Sequence, residues 1–141
     1  GYFLSFRGGP VLWGSHRQKV IAFSIAEAEY MSMATLGRFI VYATQLIKEL
    51  QYDHDISVMY VPLYEDCEPA IRIAEKPGFT QRSVSIRLSY HIIRELVRDK
   101  IVKIHKIPGH DQPADILTKS LSKAKTFKFC QHLFRFPKRT H

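Results

Sequence analysis

The chain has 141 residues, which is enough for one domain with a buried core and too few for two ordinary domains. Its hydrophobic share of 45% and charged share of 24% are typical of a globular protein, and no stretch has the length of a membrane span or the pattern of a secretory signal. The net charge of +8 favours a polyanion, such as nucleic acid, as the partner.

That positive charge is unevenly distributed along the chain. Seven Lys and Arg residues follow Asp115 with no acid among them, whereas residues 1–115 hold fourteen bases and thirteen acids. The phenylalanines at positions 127, 129, 134 and 136 are interleaved with these bases. The segment therefore has two interpretations: a basic tail that binds nucleic acid, or an amphipathic terminal helix whose phenylalanines dock on the core.

The cysteines and histidines do not form a recognisable metal or disulfide pattern in the sequence. Cys67 and Cys130 lie far apart, so we expect two incidental thiols of an intracellular protein. The seven histidines contain no pair with zinc-motif spacing. The chain begins with Gly1 rather than Met, and we expect it to be a piece of a longer protein.

The N-terminal residues predict an antiparallel arrangement. Residues 2–6 and 11–13 have the composition of two short strands joined by a turn at Gly8-Gly9-Pro10, and residues 19–23 form a further extended run. Ser24 is a candidate N-cap, with Glu27 three residues later to complete a capping box.

A long helix is predicted from about residue 26 to residue 50. Gly37 weakens this helix without breaking it. The apolar positions recur every three or four residues, at Tyr30, Met33, Leu36, Ile40, Ala43, Ile47 and Leu50.

The middle of the chain alternates between strand and helix. A strand is predicted at residues 56–64, interrupted by Pro62, with Asp66 just past its end. A short helix at 69–75 is stopped by Pro77-Gly78. A second substantial helix follows at 84–100, with Ile86, Tyr90, Ile93 and Val97 on one face.

The C-terminal part continues the same alternation. Residues 101–107 predict a strand with a buried face, and Pro113 fits the first turn of a helix that carries Asp115. A last helix is predicted at about 123–133. The order of elements indicates an α/β fold whose sheet is part antiparallel and part parallel, with helices packed on its faces.

Three acids stand where a predicted strand meets a predicted helix: Glu29, Asp66 and Asp115. Because sites in parallel α/β sheets gather at the carboxyl ends of strands, these carboxylates could hold two Mg²⁺ ions for phosphodiester hydrolysis. Each acid also has a purely structural interpretation. A chain with thirteen acids always contains some set of three at such positions by chance. The helix dipole also favours acids in the first turn of a helix.

The residues around these acids resemble segments of copia-type retrotransposon polyproteins. In chain order, residues 8–13, 18–20, 24–31, 64–67, 90–95 and 111–119 are similar to that family's G-G-P-I-S-W, Q-K-V, S-x-x-E-A-E-Y-M, Y-C-D-N, Y-H-F-I-R-E and D-Q-x-A-D-I-L-T-K. The resemblance covers nearly the whole chain, in order and with family-like gaps.

In that family this region is the C-terminal RNase H domain. The resemblance therefore implies an RNase H-like mixed sheet with flanking helices, and cleavage of the RNA strand of RNA–DNA hybrids with two Mg²⁺ ions. It gives Glu29, Asp66 and Asp115 the roles of catalytic residues and metal ligands. His110 lies where many RNases H carry a histidine that helps the product leave, and an ordinary loop histidine is the alternative.

The chain also departs from the family pattern. The family's first catalytic aspartate belongs upstream of Gly1, on the first, central strand, and no acid occurs before Glu27. We therefore expect an N-terminally truncated fold without that strand, with two sheet edges left unpaired. Further departures, which resemble those of a decayed element copy, are Cys67 in place of Asn and Val84, Ser85 and Arg87 in place of Lys, His and Asp.

These observations predict an RNase H-like domain at residues 1–121 and a basic helix and tail at 122–141. The function implied is that of the RNase H domain of a copia-type polyprotein, inactive as this fragment alone. Its partners would be RNA–DNA hybrids and the upstream reverse-transcriptase part, in the cytoplasm or the nucleus, with no membrane involved.

Two alternative functions, from classes other than enzymes, remain. One is a non-catalytic nucleic-acid-binding remnant, and the other is an expressed pseudogene product without a selected role. The predicted phosphate-binding residues are Lys119, Lys123, Lys125 and Lys128.

Overall fold

The computed structural model describes residues 1–15, 24–50, 60–75 and 84–134, with side chains described except at 84–90 and 132. Within these residues none of the helices is long and apolar enough to cross a membrane. The strands are β1 (Tyr2–Phe6), β2 (Gly9–Gly14), β3 (Val61–Glu65) and β4 (Val102–Lys106), and the α-helices are α1 (Ile25–Glu49), α2 (Glu68–Glu75), α3 (Val84–Arg98) and α4 (Lys123–Phe134).

Two 3-10 helices, Gly109–Asp111 and Pro113–Leu117, follow β4. The strands pair in two small sheets, β1 with β2 antiparallel and β3 with β4 parallel. The mixed α/β class predicted from the sequence is confirmed, including both an antiparallel and a parallel part. The RNase H arrangement of these elements stays a prediction.

The chain is divided into two compact units. The hairpin unit consists of the described residues of Gly1–Arg17 and Asp111–His141, and the helical unit of those of Gln18–His110. The predicted strand at residues 19–23 and the first part of the one at 56–64 lie outside the described residues.

In the hairpin unit, β1 and β2 are joined by a tight turn at Arg7-Gly8. Both residues have positive φ, 47° and 80°, which is the backbone of the two-residue hairpin turns that match strand twist. The turn predicted at Gly8-Gly9-Pro10 is therefore placed too late, because Gly9 and Pro10 already belong to β2. The pairing shifts where Leu4 faces Leu12 and Ser5 faces Pro10, so Val11 is the extra residue of a β-bulge.

The core of the hairpin unit is small. Phe129 and Leu133 of α4 and Tyr2 of β1 are buried, and α4 contacts β2. Gly14 lies directly opposite Tyr2, and a Cβ there would lie 2.5 Å from the tyrosine ring, so only glycine fits beneath that ring. The hydroxyl of Ser122 accepts a hydrogen bond from the Lys125 amide, which caps the start of α4.

The helical unit places α1, α2 and α3 with the parallel pair of β3 and β4. Val61 pairs with Val102 and Glu65 with Lys106. The ladder is extended at both ends, since the Val61 amide donates to the Ile101 carbonyl and the Ile107 amide donates to the Glu65 carbonyl. Leu63 and Val102 are buried, whereas their strand neighbours Pro62 and Lys103 are exposed, so each strand has one buried face.

The start of α1 is as predicted. Ser24 has an extended backbone and its hydroxyl accepts the Glu27 amide at 3.1 Å, which confirms the N-cap. The buried face is shorter than predicted: it ends at Ile40, and Leu50 is 65% exposed. Gly37 is part of this face, because a Cβ there would lie 3.1 Å from Leu96 of α3. Because residue 37 has no Cβ, α1 and α3 can approach each other closely.

The end of α3 shows why the predicted helix at 84–100 stops at Arg98. Lys100 has a positive φ of 58°, its amide donates to the Val97 carbonyl, and the Ile101 amide donates to the Leu96 carbonyl. This is the pattern of a Schellman cap, which here carries lysine where glycine is usual.

Candidate carboxylate site

Glu65 lies at the carboxyl end of β3, on the buried face of the strand. Strand alternation places it on the same face as Val61 and Leu63, and only 5% of the residue is exposed. Its Oε1 accepts a hydrogen bond of 2.9 Å from the Cys67 amide. This hydrogen bond joins the last residue of β3 to the residue directly before α2.

The surroundings of Glu65 disfavour its charged form. Burial, which is the largest cause, and the negative charges of Glu29 and Asp66 together raise the pKa of the Glu65 carboxyl to about 7. Hydrogen bonds from the amides of Cys67 and Asp66 oppose this shift in pKa without cancelling it. Near neutral pH the carboxyl therefore holds a proton in a substantial fraction of molecules.

Two predicted site residues are the acids that act on Glu65. Asp66 directly follows β3 and is half-buried, as the sequence predicted. Glu29 is half-buried on α1 and is close enough to Glu65 to raise its pKa. Glu29 lies one residue beyond the first helical turn, whose acid is Glu27. The helical unit therefore brings Glu29 and Asp66 to one buried carboxyl.

The loop after β4 runs against Asp66. A Cβ on Gly109 would lie 2.9 Å from Asp66 Oδ2, so a side chain at residue 109 would force the Asp66 carboxylate to shift. His110 follows on the same 3-10 helix and is exposed. Its predicted role in product release stays a prediction.

Asp115, the third predicted acid, belongs to the hairpin unit and has different neighbours. It lies in the 3-10 helix that begins at Pro113, as the proline predicted, and it is 9% exposed. Lys119 Nζ lies 2.7 Å from Asp115 Oδ1, and the amides of Thr118 and Lys119 donate to the Asp115 carbonyl. Asp115 therefore has a cation within its own unit.

A magnesium site is predicted at Glu29, Asp66 and Asp115. Among the described residues, no three His, Cys, Asp or Glu side chains are grouped so that they could hold a metal ion. Mg²⁺ in proteins is usually bound by one or two carboxylates together with water and substrate phosphates, and the magnesium site stays a prediction.

The predicted phosphate-binding lysines differ in their surroundings. Lys119 pairs with Asp115, and Lys128 Nζ lies 2.9 Å from Asp111 Oδ1. Lys125 and Lys128 both lie over the ring of Phe129, at 5.4 and 5.9 Å from its centroid. Phe129 is buried, which agrees with the docking interpretation, whereas Phe127 and Phe134 are exposed. Phe136 lies outside the described residues.

The sequence pattern missed Glu65. The signal was present in two forms: the alternation of Val61, Leu63 and Glu65 places the acid on the buried face, and glutamate stands where the resembled segment has cysteine.

The fold and this site define a mixed α/β protein with carboxylates gathered at the carboxyl end of a parallel strand. Over 94% of its length the chain is 34% identical to the retrovirus-related Pol polyprotein from transposon TNT 1-94 of Nicotiana tabacum. It is 32% and 31% identical, again over 94% of its length, to those from transposons RE2 and RE1 of Arabidopsis thaliana. The chain is therefore homologous to a segment of copia-type retrotransposon Pol polyproteins.

The homologous segment is a small part of each relative. The chain spans 10% of the TNT 1-94 polyprotein and 9% of each of the other two. No protein-family model matches the chain. No solved structure is significantly similar to it. The homology thus establishes the kind of polyprotein and does not show which of its domains this segment is.

Proposed function

We propose that this chain is the RNase H segment of a copia-type Pol polyprotein. Glu29, Asp66 and Asp115 would be its contribution to a carboxylate site that cuts the RNA strand of RNA–DNA hybrids. The observation that carries the proposal is the position of Glu29 and Asp66, which both act on Glu65 at the carboxyl end of β3. Sites in α/β sheets form at such strand ends.

Two Mg²⁺ ions would neutralise the carboxylates and activate water in the intact polyprotein. The described residues of this chain do not group three metal ligands, and no acid precedes Glu27. We therefore propose that this chain binds hybrids but does not hydrolyse them by itself.

The test uses both the chain alone and a chimera. In the chimera, this chain replaces the corresponding segment of the TNT 1-94 polyprotein. We expect Mg²⁺-dependent cleavage of a labelled hybrid by the chimera and its loss in Asp66→Asn. Asp99→Asn is the matched control, because Asp99 is an exposed acid paired with Arg98, and it should leave cleavage unchanged.

Two outcomes would contradict the proposal. One is an inactive chimera when the unmodified relative cleaves hybrids in the same assay. The other is cleavage by the isolated chain that Asp66→Asn abolishes, since this would show that the chain needs no further acid.

A non-catalytic nucleic-acid-binding role is the second candidate, and the three lysines of α4, of which Lys123 and Lys128 are exposed and Lys125 is half-buried, favour it. Lys123→Gln with Lys125→Gln should then weaken binding and reduce the slope of log affinity against log salt by about 0.7–0.9 for each lysine that contacts a phosphate. Asp66→Asn should leave this binding unchanged. A truncation after Leu121 is a poorer test, since it removes the buried Phe129 and Leu133.

A further inference from the structure

The parallel pair has an outward face that the carboxylate site does not use. Tyr60, Pro62 and Tyr64 alternate with the buried residues of β3, and Lys103 and His105 lie on the same side of β4. Tyr60 is 45% exposed and Tyr64 is 56% exposed. We call these five residues the tyrosine face.

Three rings of the tyrosine face form a row. The centroid of the His105 ring lies 6.2 Å from that of Tyr60 and 5.7 Å from that of Tyr64, with interplanar angles of 31° and 36°. The two tyrosines are four residues apart, which is about 13 Å along an extended strand. The row therefore presents successive flat surfaces at a spacing that three consecutive unstacked bases can follow.

The tyrosine face has a positive charge, which favours contact with a phosphate backbone. Lys103 Nζ lies 5.1 Å from the centroid of the Tyr60 ring, and Lys103 is exposed. None of the five residues is acidic. A cation interacts only weakly with an exposed ring, so an arriving base can displace the ammonium from the ring. The displaced ammonium then meets the neighbouring phosphate.

We propose that the tyrosine face binds single-stranded nucleic acid, with bases stacked on Tyr60, His105 and Tyr64 and a phosphate on Lys103. Exposed aromatic rings on a sheet, accompanied by a cation, suit unstacked bases because every base has a flat face. A duplex is excluded from this mode because its bases already stack on one another. The proposal is independent of the hydrolytic function and of the lysines of α4.

The test measures the affinity of the full chain for a short labelled oligothymidylate by fluorescence anisotropy. Tyr60→Leu and Tyr64→Leu keep an apolar side chain but remove the flat ring, and each should weaken binding about 10-fold. Tyr60→Phe and Tyr64→Phe keep the ring and should retain the affinity. Tyr42→Leu, at a tyrosine of α1 that is 65% exposed, is the matched control and should leave binding unchanged.

The outcomes separate the proposal from its alternatives. Equal losses in Tyr42→Leu and the two tyrosine-face variants would overturn it, as would binding that only the α4 lysine variants reduce. Undetectable binding of the oligonucleotide by the unmodified chain would also overturn it.

Sedimentation tests a second alternative, in which the tyrosine face is a dimer interface. A dimer that the tyrosine-face variants dissociate and the oligonucleotide does not would overturn the proposal. Far-UV circular dichroism verifies folding. If a leucine variant unfolds, Lys103→Gln decides, because it keeps all three rings and should weaken binding and reduce its salt dependence, whereas unchanged binding would overturn the proposal.

Discussion

Each of the two units buries a carboxyl group, and the charges that surround the two groups have opposite signs. Asp115 of the hairpin unit is 9% exposed and has the ammonium of Lys119 at 2.7 Å. Glu65 of the helical unit is 5% exposed and is surrounded by the negative charges of Glu29 and Asp66. A buried charge is tolerated when it is paired, and the ammonium of Lys119 stabilises the charged form of Asp115 in this way. Glu65 has instead a raised pKa, which is typical of functional sites.

The largest effect is expected from neutralising Glu65. The folded-state pKa of about 7 lies above the ordinary 4.5, so the folded chain binds the proton more tightly than the unfolded chain. The stability due to the protonated carboxyl is fully present below pH 4.5 and is lost as the pH rises to about 7. Glu65→Gln cannot ionise and keeps an oxygen for the Cys67 amide. It should therefore be more stable than the unmodified chain at pH 8 by about 3 kcal/mol.

Urea unfolding at pH 5 and pH 8, followed by far-UV circular dichroism, measures this difference. Only a small part of the gain should be visible at pH 5. Glu95→Gln removes the same charge from an exposed position of α3 and is the control. If the stability of both variants changes equally between pH 5 and pH 8, the burial of Glu65 is not the cause of the pH dependence.

A smaller effect is expected from breaking the ion pair of Asp115. Lys119→Gln should destabilise the hairpin unit by about 1 kcal/mol, because the pair is half-exposed on the lysine side and only the carboxylate is buried. The fluorescence of Trp13, which belongs to the same unit, reports its unfolding in urea. Lys123→Gln is the control. An equal loss of stability in this variant would mean that the change in net charge, and not the ion pair of Lys119 with Asp115, is responsible.

The smallest effect is expected from Glu29→Gln. Removing this charge should lower the pKa of Glu65 while leaving it above 4.5, because burial is the largest cause of the shift. The measurement is the pH titration of the Glu65 carboxyl carbon by NMR in the variant and the unmodified chain. An unchanged midpoint would show that Glu29 does not act on Glu65.

Local chemistry explains which parts of the fold the sequence could predict. The hydroxyl of Ser24 caps α1 through a contact three residues away, and Pro113 sets the backbone of the first helical position, so both are encoded in adjacent residues. The strand predicted to end at residue 64 ends one residue later, at Glu65. These features need no knowledge of distant parts of the chain.

The features that were missed depend on contacts between elements or on unusual backbone. The turn at Arg7-Gly8 places arginine in a conformation that asparagine or glycine usually adopts. Gly37 is a packing position only because Leu96 of α3 lies opposite it. The role of Glu65 depends on the burial of its carboxyl and on Glu29, which is 36 residues away in sequence. Composition and spacing contain no direct record of such contacts.

The pH titration of the Glu65 carboxyl in the unmodified full chain tests the central contrast most directly. Carbon-detected NMR with selective labelling of glutamate, and Glu65→Gln to assign the signal, gives the midpoint. A midpoint near pH 7 is predicted, because the carboxyl is buried beside Glu29 and Asp66. A midpoint near 4.5 would contradict the description of Glu65 as the buried centre of an acidic site.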